Sequence, residues 1–436
     1  MNLATATLVS VLATDVGLVT AGRLLGSQKF RQSHPTAASW LIRDRALRST
    51  TNTTNMKITS TLATALFLLS VAIVFGQADS ASPTAATAAS AAGKAKTEVG
   101  QQVQSYLDSL AAENKLSGAI VVAKDGVPIA SKASGVANKA TSAPIRLDTK
   151  FNLGSMNKMF TGIAITQLAQ EGKLNFNDPI SKYLPDYPNK DIGAKVTIHQ
   201  LLTHTSGMAS YVNDKFRAQR AKLTTVAAHL PLFVNDALSF SPGEKFEYSN
   251  SGYMVLGAII ERVSGQDYYT YLRDHIFRPA GMANTGFYEP GKEIPNLAVG
   301  YTRMGPDGKP TDEVRENTDM LEIRGGPAGG GYSTVGDLLK FHTALRTFKL
   351  LNREHTELAT KGKVDAPGPI GRYAYGFGDK VFDGKHIVGH NGGWPGVAAN
   401  FEMYPELGYT SVILMNSDPP NMMPVIMQLR KLIPAN

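Results

Sequence analysis

Apolar residues recur at intervals of three and four along several stretches of the chain, which is the spacing of one helical face. Val99, Val103 and Leu107 form such a stripe, and a second stripe follows Ser155 and ends at Gly172. The pattern predicts helices at about 99–110, 155–172, 196–204, 255–263, 268–276, 335–345 and 422–432. Residues 209–240 show no consistent period, and we assign them no role.

Other stretches are apolar without helical spacing, as is typical of buried strands. Asp125-Gly126 and Asp383-Gly384 are hairpin turn signals between such stretches. The predicted strands are 119–123, 127–131, 380–382, 386–388, 398–404 and 410–415. Because strands lie at both ends with helices between them, we predict an α+β fold, in which an antiparallel sheet is flanked by helices and carries a mainly helical insert domain.

A signal peptide is predicted for residues 56–78. Met56 and Lys57 give a basic start, an apolar run follows from Leu62 to Phe75, and Gly76-Gln77-Ala78 supplies small residues before a cleavage site. We therefore expect an exported protein, periplasmic or secreted, with no stable membrane span after cleavage. The alternative is an N-terminal anchor helix, although the apolar run is short for a membrane span.

The segments around the signal peptide carry no pattern of a packed core. We interpret residues 1–55 as a non-structural leader, with translation beginning at Met56 rather than Met1. Residues 79–97 are mostly Ala, Ser and Thr, which predicts a flexible linker. The folded domain is then predicted to span residues 98–436.

Composition excludes several classes of chemistry. The chain has 436 residues and no cysteine, so disulfides, thiolate metal sites and cysteine nucleophiles are absent. The formal net charge is +8, but residues 1–78 contribute +5 of it and the remainder of the chain only +3. The basic surplus therefore argues poorly for a nucleic-acid partner.

Candidate chemistry begins at Ser155 and Lys158. They are three residues apart ahead of an apolar helical run, and no other serine of the chain is followed by a lysine three residues later. If a helix begins at Ser155, the hydroxyl and the amine lie on one face. A hydroxyl beside an amine is a nucleophile beside a base, which suggests covalent hydrolysis.

Two later segments could join this pair. Tyr248 and Asn250 precede a strong helical stripe and could supply a phenol and an amide to one cleft. His390-Asn391-Gly392-Gly393 lies between two predicted strands, where glycines let a substrate approach the backbone closely. A strand edge of this kind can offer a backbone N–H to a developing oxyanion.

Together the three segments resemble the serine β-lactamase and penicillin-binding-protein superfamily, and most of all its class C-like branch of D-Ala carboxypeptidases and carboxylesterases. The resemblance covers residues from about 100 to 430. Ser155-Met156-Asn157-Lys158 looks like the first motif, Tyr248-Ser249-Asn250 like the Tyr-x-Asn motif, and His390-Asn391-Gly392 like the Lys-Thr-Gly or His-x-Gly motif. The flanks Leu201–Met208 and Pro242-Gly243 are also typical of this branch.

The resemblance implies a catalytic mechanism without a cofactor or metal. Ser155 becomes acylated, and Lys158 accepts its proton, although a free lysine titrates near ~10.4. Tyr248 relays a proton to the leaving group. Asn250 holds this network together or contacts the substrate. The backbone N–H groups of Ser155 and Gly393 form the oxyanion hole.

The third motif departs from that of a dedicated β-lactamase. His390 stands in place of a lysine, and Asn391 replaces the threonine that meets a substrate carboxylate. Both changes weaken the case for β-lactams and favour short acyl esters, with D-amino-acid peptides of the peptidoglycan type next. The remaining alternative is a binding or scaffold protein of the same fold that has lost turnover.

Overall fold

The computed structural model describes residues 83–289 and 292–435, with side chains from residue 97 onward. The strands are β1 (Gly118–Lys124), β2 (Val127–Ser134), β3 (Val136–Asn138), β4 (Ala143–Pro144), β5 (Phe151–Asn152), β6 (Tyr301–Met304), β7 (Pro310–Glu316), β8 (Tyr332–Ser333), β9 (Val364–Ala366), β10 (Gly371–Tyr373), β11 (Gly378–Phe382), β12 (Lys385–Trp394), β13 (Val397–Tyr404) and β14 (Tyr409–Met415).

The helices are α1 (Pro83–Ala112), α2 (Lys158–Gln170), α3 (Ile180–Tyr183), α4 (Lys190–Lys195), α5 (Ile198–Leu202), α6 (Asp214–Gln219), α7 (Val226–His229), α8 (Asn250–Ser264), α9 (Tyr268–Leu272), α10 (Arg278–Ala280), α11 (Val335–Arg346), α12 (Arg353–Thr360) and α13 (Met423–Leu432). A 3-10 turn, Gly154–Asn157, precedes α2, and a π-helical segment, Arg273–Phe277, follows α9.

The main sheet has eight antiparallel strands in the order β2-β1-β14-β13-β12-β11-β10-β9. The first and last strands of the folded region are neighbours, with Gly118 opposite Met415. Strands β1, β13 and β14 are buried along nearly their whole length, because both faces of the sheet are covered. Three two-stranded sheets, β3-β4, β5-β8 and β6-β7, lie outside the main sheet. The predicted α+β fold with a main antiparallel sheet is therefore confirmed.

Helices cover the two faces of the sheet differently. On one face, Val103 and Leu107 of α1 pack with Val425 and Leu429 of α13. The larger core lies on the other face, where α2, α8 and α11 bury their apolar stripes together with the shorter helices between residues 180 and 280. This helical layer and the sheet meet at β12, and the candidate site lies at that junction.

Of the predictions for the N-terminal region, only the one for the linker falls on residues that the structure describes. Helix α1 begins at Pro83, so most of the segment 79–97 that we interpreted as a flexible linker is helical. The reason is its alanine content, since alanine has the highest helix propensity of any residue. The leader at 1–55 and the signal peptide at 56–78 lie outside the described residues. Within the described ranges, no helix is both long and apolar enough to span a bilayer.

Candidate active site

Ser155 lies in the 3-10 turn between β5 and α2, rather than in the first turn of an α-helix. Gly154 has a φ of +48°, and a Cβ there would come within 2.9 Å of the backbone nitrogen of Gly393. Glycine is therefore required where the chain turns against β12. Asn152 supports the turn by accepting a hydrogen bond from the Gly154 N–H at 2.9 Å.

Lys158 is fully buried, and its Nζ lies 3.2 Å from the Ser155 Oγ. It also donates to Oδ1 of Asn250 at 2.8 Å and to the carbonyl of Ala328 at 2.5 Å. Burial holds the pKa of Lys158 well below its usual range, and the charge of Glu322 opposes that effect only in part. A neutral amine has two N–H groups, and these two oxygen acceptors use both. Its lone pair is then left for the Ser155 hydroxyl.

The Tyr248 phenol completes the cluster around the amine. Lys158 Nζ lies 4.7 Å from the centre of the Tyr248 ring and 5.3 Å from that of Tyr253. Burial raises the pKa of Tyr248, and the neighbouring Ser155 hydroxyl opposes that effect. The Tyr248 hydroxyl is buried without a well-formed hydrogen bond to any described residue. Tyr248 is therefore a protonated phenol with a proton available beside the nucleophile.

Asn250 is the first residue of α8, and its amide is fixed at both ends. Its Oδ1 accepts from Lys158, while its Nδ2 donates to the Ser210 Oγ at 3.2 Å. Ser249 caps the helix, with its side chain accepting from the Gly252 N–H. The cap sets where α8 begins, and thereby places Asn250 over the amine.

His204 is a site residue that the sequence analysis missed, apart from noting its segment as a flank. Its ring centre lies 4.2 Å from that of Tyr248 and 4.7 Å from that of Tyr373, and its Nδ1 accepts from the Ser249 N–H at 3.1 Å. Burial, with the positive charge that Lys158 can carry, holds the pKa of His204 well below its usual range. His204 is thus a neutral ring that supports Tyr248. The unusual φ of +59° at this position leaves no signal in a single sequence.

Strand β12 brings the third motif against the nucleophile turn. A Cβ on Gly392 would lie 1.8 Å from the carbonyl oxygen of Leu153, so only glycine permits this approach. Gly393 is the next residue and lines the same cleft as Ser155. The two backbone N–H groups assigned to the oxyanion hole therefore belong to adjoining segments, and their role stays a prediction.

His390 does not face the cleft in the way that its motif position suggested. Its Nδ1 donates to the carbonyl of Asn391 at 2.5 Å, and its Nε2 accepts from the Tyr373 hydroxyl at 2.9 Å. Burial, with the charge that Lys158 can carry, lowers the pKa of His390 to about 3. The ring is neutral and both nitrogens are engaged within the protein. Asn391, on the opposite face of the strand, is exposed.

Beside these residues lies an open cleft of about 610 Å³, a volume that includes the solvent space at its mouth. Ser155, Asn250 and Gly393 line it, and so does part of the glycine-rich segment 325–331, whose Ala328 carbonyl holds Lys158. Apolar and aromatic side chains form most of the remaining wall: Tyr211, Val212, Phe216, Tyr288, Met320, Leu321, Tyr332 and Trp394. In the part of the chain that the structure describes, no cluster of three or more His, Cys, Asp or Glu residues could hold a metal ion.

Comparisons with known proteins agree with this arrangement. The family model described as Beta-lactamase matches residues 82–432. A penicillin-binding protein of Bacillus subtilis is 28% identical over 333 residues, which are 73% of this chain and 72% of the relative. The crystal structure of a penicillin binding protein from Bacillus halodurans has 32% identity and a TM-score of 0.67, covering 74% of this chain and 98% of that one. An octameric penicillin-binding protein homologue from Pyrococcus abyssi has 28% identity and a TM-score of 0.64, covering 77% and 79%. The chain therefore belongs to the beta-lactamase family, within the superfamily of serine β-lactamases and penicillin-binding proteins.

Proposed function

We propose that this protein is a serine hydrolase that cleaves ester or amide bonds through an acyl-enzyme on Ser155. The observation that carries the proposal is the environment of Lys158. Two carbonyl-type oxygens use the N–H groups of its buried amine, so that the lone pair can accept the Ser155 proton at 3.2 Å. A buried lysine with its charge suppressed is a competent general base near neutral pH.

Acylation then proceeds in balanced steps. Lys158 takes the hydroxyl proton while the Ser155 Oγ attacks the substrate carbonyl carbon. The oxyanion that forms is stabilised by the backbone N–H groups of Ser155 and Gly393, and one such donor lowers the barrier by about 2.7–4 kcal/mol. The bond to the leaving group breaks, and the leaving group takes its proton from Tyr248, which is resupplied from Lys158.

Deacylation returns the site to its starting state. Water attacks the acyl carbon, gives a proton to the Tyr248 and Lys158 pair, and displaces the Ser155 oxygen. Ser155 recovers its proton and the product leaves as a carboxylic acid. No other reactant is required, because both half-reactions only exchange a proton and an acyl group.

The third motif favours substrates whose leaving group is uncharged over substrates whose leaving group carries a free carboxylate. His390 is uncharged with both ring nitrogens engaged, and Asn391 stands where a hydroxyl would meet a substrate carboxylate. Short acyl esters are therefore the preferred substrates, D-amino-acid peptides come next, and β-lactams come last. The names of the relatives refer to penicillin binding, and for this chain we expect slow or no nitrocefin turnover.

A fluorophosphonate probe tests the proposal, because it labels an activated serine irrespective of the substrate. Labelling of the wild type but not of Ser155→Ala is expected, together with hydrolysis of p-nitrophenyl esters. A folded wild-type protein that is not labelled would leave the alternative of a binding or scaffold protein. Fast nitrocefin hydrolysis, measured beside a D-Ala-D-Ala peptide, would overturn the substrate ranking.

Export with cleavage after Ala78 belongs to the same proposal. It rests on the basic, apolar and small-residue order of residues 56–78. N-terminal sequencing of the protein from its native host tests it, with Asp79 expected as the first residue. Recovery of a peptide from residues 1–55 would contradict a start at Met56.

A further inference from the structure

Glu322 stands out on the wall of the catalytic cleft. Among the described residues that line the cleft, it is the one with an ionisable carboxylate, and no lysine, arginine or histidine lines the cleft beside it. Its neighbours on the wall include the apolar Met320 and Leu321 and the aromatic Phe216 and Trp394. A single acid in such surroundings has a strong effect on which substrates can bind.

The carboxylate of Glu322 is held in place but is not saturated. Its Oε1 accepts a hydrogen bond from the Tyr211 hydroxyl at 2.8 Å. Its Oε2 lies 3.6 Å from Nε2 of His229, beyond hydrogen-bond distance, and the other ring nitrogen of His229 donates to the carbonyl of Thr225. A carboxylate can accept about four hydrogen bonds, so most of this capacity is free.

Among the described residues Glu322 has no lysine or arginine partner, and His229, 3.6 Å away, forms an ion pair with it only if the imidazole ring is protonated. Only 16% of the Glu322 side chain is exposed. A buried carboxylate is costly unless a positive group or further donors compensate it. A positive group on a bound substrate can compensate Glu322 from the cleft side, because no lysine, arginine or histidine lines the cleft there.

We propose that Glu322 binds a positively charged amine on the acyl part of the substrate. On this proposal, which rests on the hydrolase function proposed above, the preferred substrates are esters or amides whose acyl group carries an ammonium together with an apolar or aromatic substituent. The ammonium donates to the free oxygen of Glu322, and the substituent packs against the aromatic wall around Phe216 and Trp394. A carboxylate at the same place is repelled.

A purely structural role for Glu322 is the competing explanation. Its bond to Tyr211 joins the segment before the glycine-rich loop to the helical layer, and loss of this bond could distort the cleft. Such a distortion would slow all substrates alike. The two explanations therefore differ in the ratio of rates for a charged and an uncharged substrate, and not in either rate alone.

The test compares two p-nitrophenyl esters that differ only in the amine, the ester of phenylalanine and that of 3-phenylpropanoic acid. We expect Glu322→Gln, which keeps an oxygen for Tyr211, to lower the ratio of their kcat/KM values by roughly 10- to 100-fold, the range of a charge-assisted hydrogen bond. Comparing ratios cancels the intrinsic reactivity of the esters and any change in Lys158. Glu357→Gln, an exposed position on α12, is the matched control and should leave the ratio unchanged.

A measurement on the wild type keeps the proposal testable if the variant fails to fold. 2-Phenylethylammonium should inhibit hydrolysis of the uncharged ester at least 10-fold more strongly than 2-phenylethanol. Equal inhibition, or an unchanged ratio in a folded Glu322→Gln, overturns the role of Glu322. If fluorophosphonate labels Ser155 in that case, only the substrate class is wrong, whereas absence of labelling removes the hydrolase function itself.

Discussion

Replacing Lys158 by methionine removes the base but keeps most of the buried side-chain volume. The amine donates to Asn250 Oδ1 and to the Ala328 carbonyl, so the substitution leaves two buried acceptors without their donor. Each such loss costs about 1–3 kcal/mol, offset in part because a buried amine is itself poorly solvated. General-base catalysis contributes about 10²–10⁴-fold. We therefore expect acylation to slow by that factor in a protein that still folds.

The choice of methionine matters because Lys158 is fully buried. Lys158→Ala would also leave a cavity that lowers the free energy of unfolding by about a further 2–5 kcal/mol. A loss of activity in that variant would then not distinguish loss of the base from loss of structure. The assay is the rate of fluorophosphonate labelling, with the thermal melting temperatures of the wild type and Lys158→Met measured in parallel. If Lys158→Met folds and is labelled within a few-fold of the wild-type rate, Lys158 is not the base and the proposed mechanism is wrong.

Two further predictions concern stability. Burial alone would lower the pKa of His386, but Glu406 and Asp379, which contact its two ring nitrogens, raise it above its ordinary value of about 6.5. The stabilisation that the protonated His386 gains from the two carboxylates is therefore complete below pH 6.5 and is lost as the pH rises through the raised pKa. The melting temperatures of wild type and His386→Gln should differ at pH 5.5 and converge at alkaline pH. A difference that widens with pH would contradict this. Gly392→Ala places a Cβ 1.8 Å from the Leu153 carbonyl oxygen. We expect this variant to be destabilised by about 1–3 kcal/mol and to lose fluorophosphonate labelling of Ser155. A labelling rate like that of the wild type would show that β12 need not contact the nucleophile turn.

The local pattern of the chain was enough to predict the main elements. The stripes at 155–172 and 255–263 correspond to α2 and α8, and the apolar runs at 398–404 and 410–415 to β13 and β14. From Pro83 onward the segment that we interpreted as a flexible linker is helical, because its alanines bury little surface but have a high helix propensity. Weak periodicity left 209–240 unassigned, and there the structure has two short α-helices and two 3-10 turns.

The candidate site shows the same division. Motif order drew attention to Ser155, Lys158, Tyr248 and Asn250, and the structure brings these four side chains together. The motif order gave no indication of Glu322 or of the packing of His204, since neither position has a periodic neighbour or a spacing that marks it. Both are functional candidates only because segments distant in sequence meet at the cleft.

The sequence by itself determined the elements, the reactive residue types and their order along the chain, because propensity, periodicity and side-chain chemistry are local properties. Tertiary structure alone decided which of those groups are charged and what they face. Burial holds the pKa of the Lys158 amine well below its usual range, the Tyr373 hydroxyl occupies one ring nitrogen of His390, and the cleft wall offers Glu322 no lysine or arginine partner. These outcomes depend on desolvation and on long-range contacts, which a linear pattern of residues does not contain.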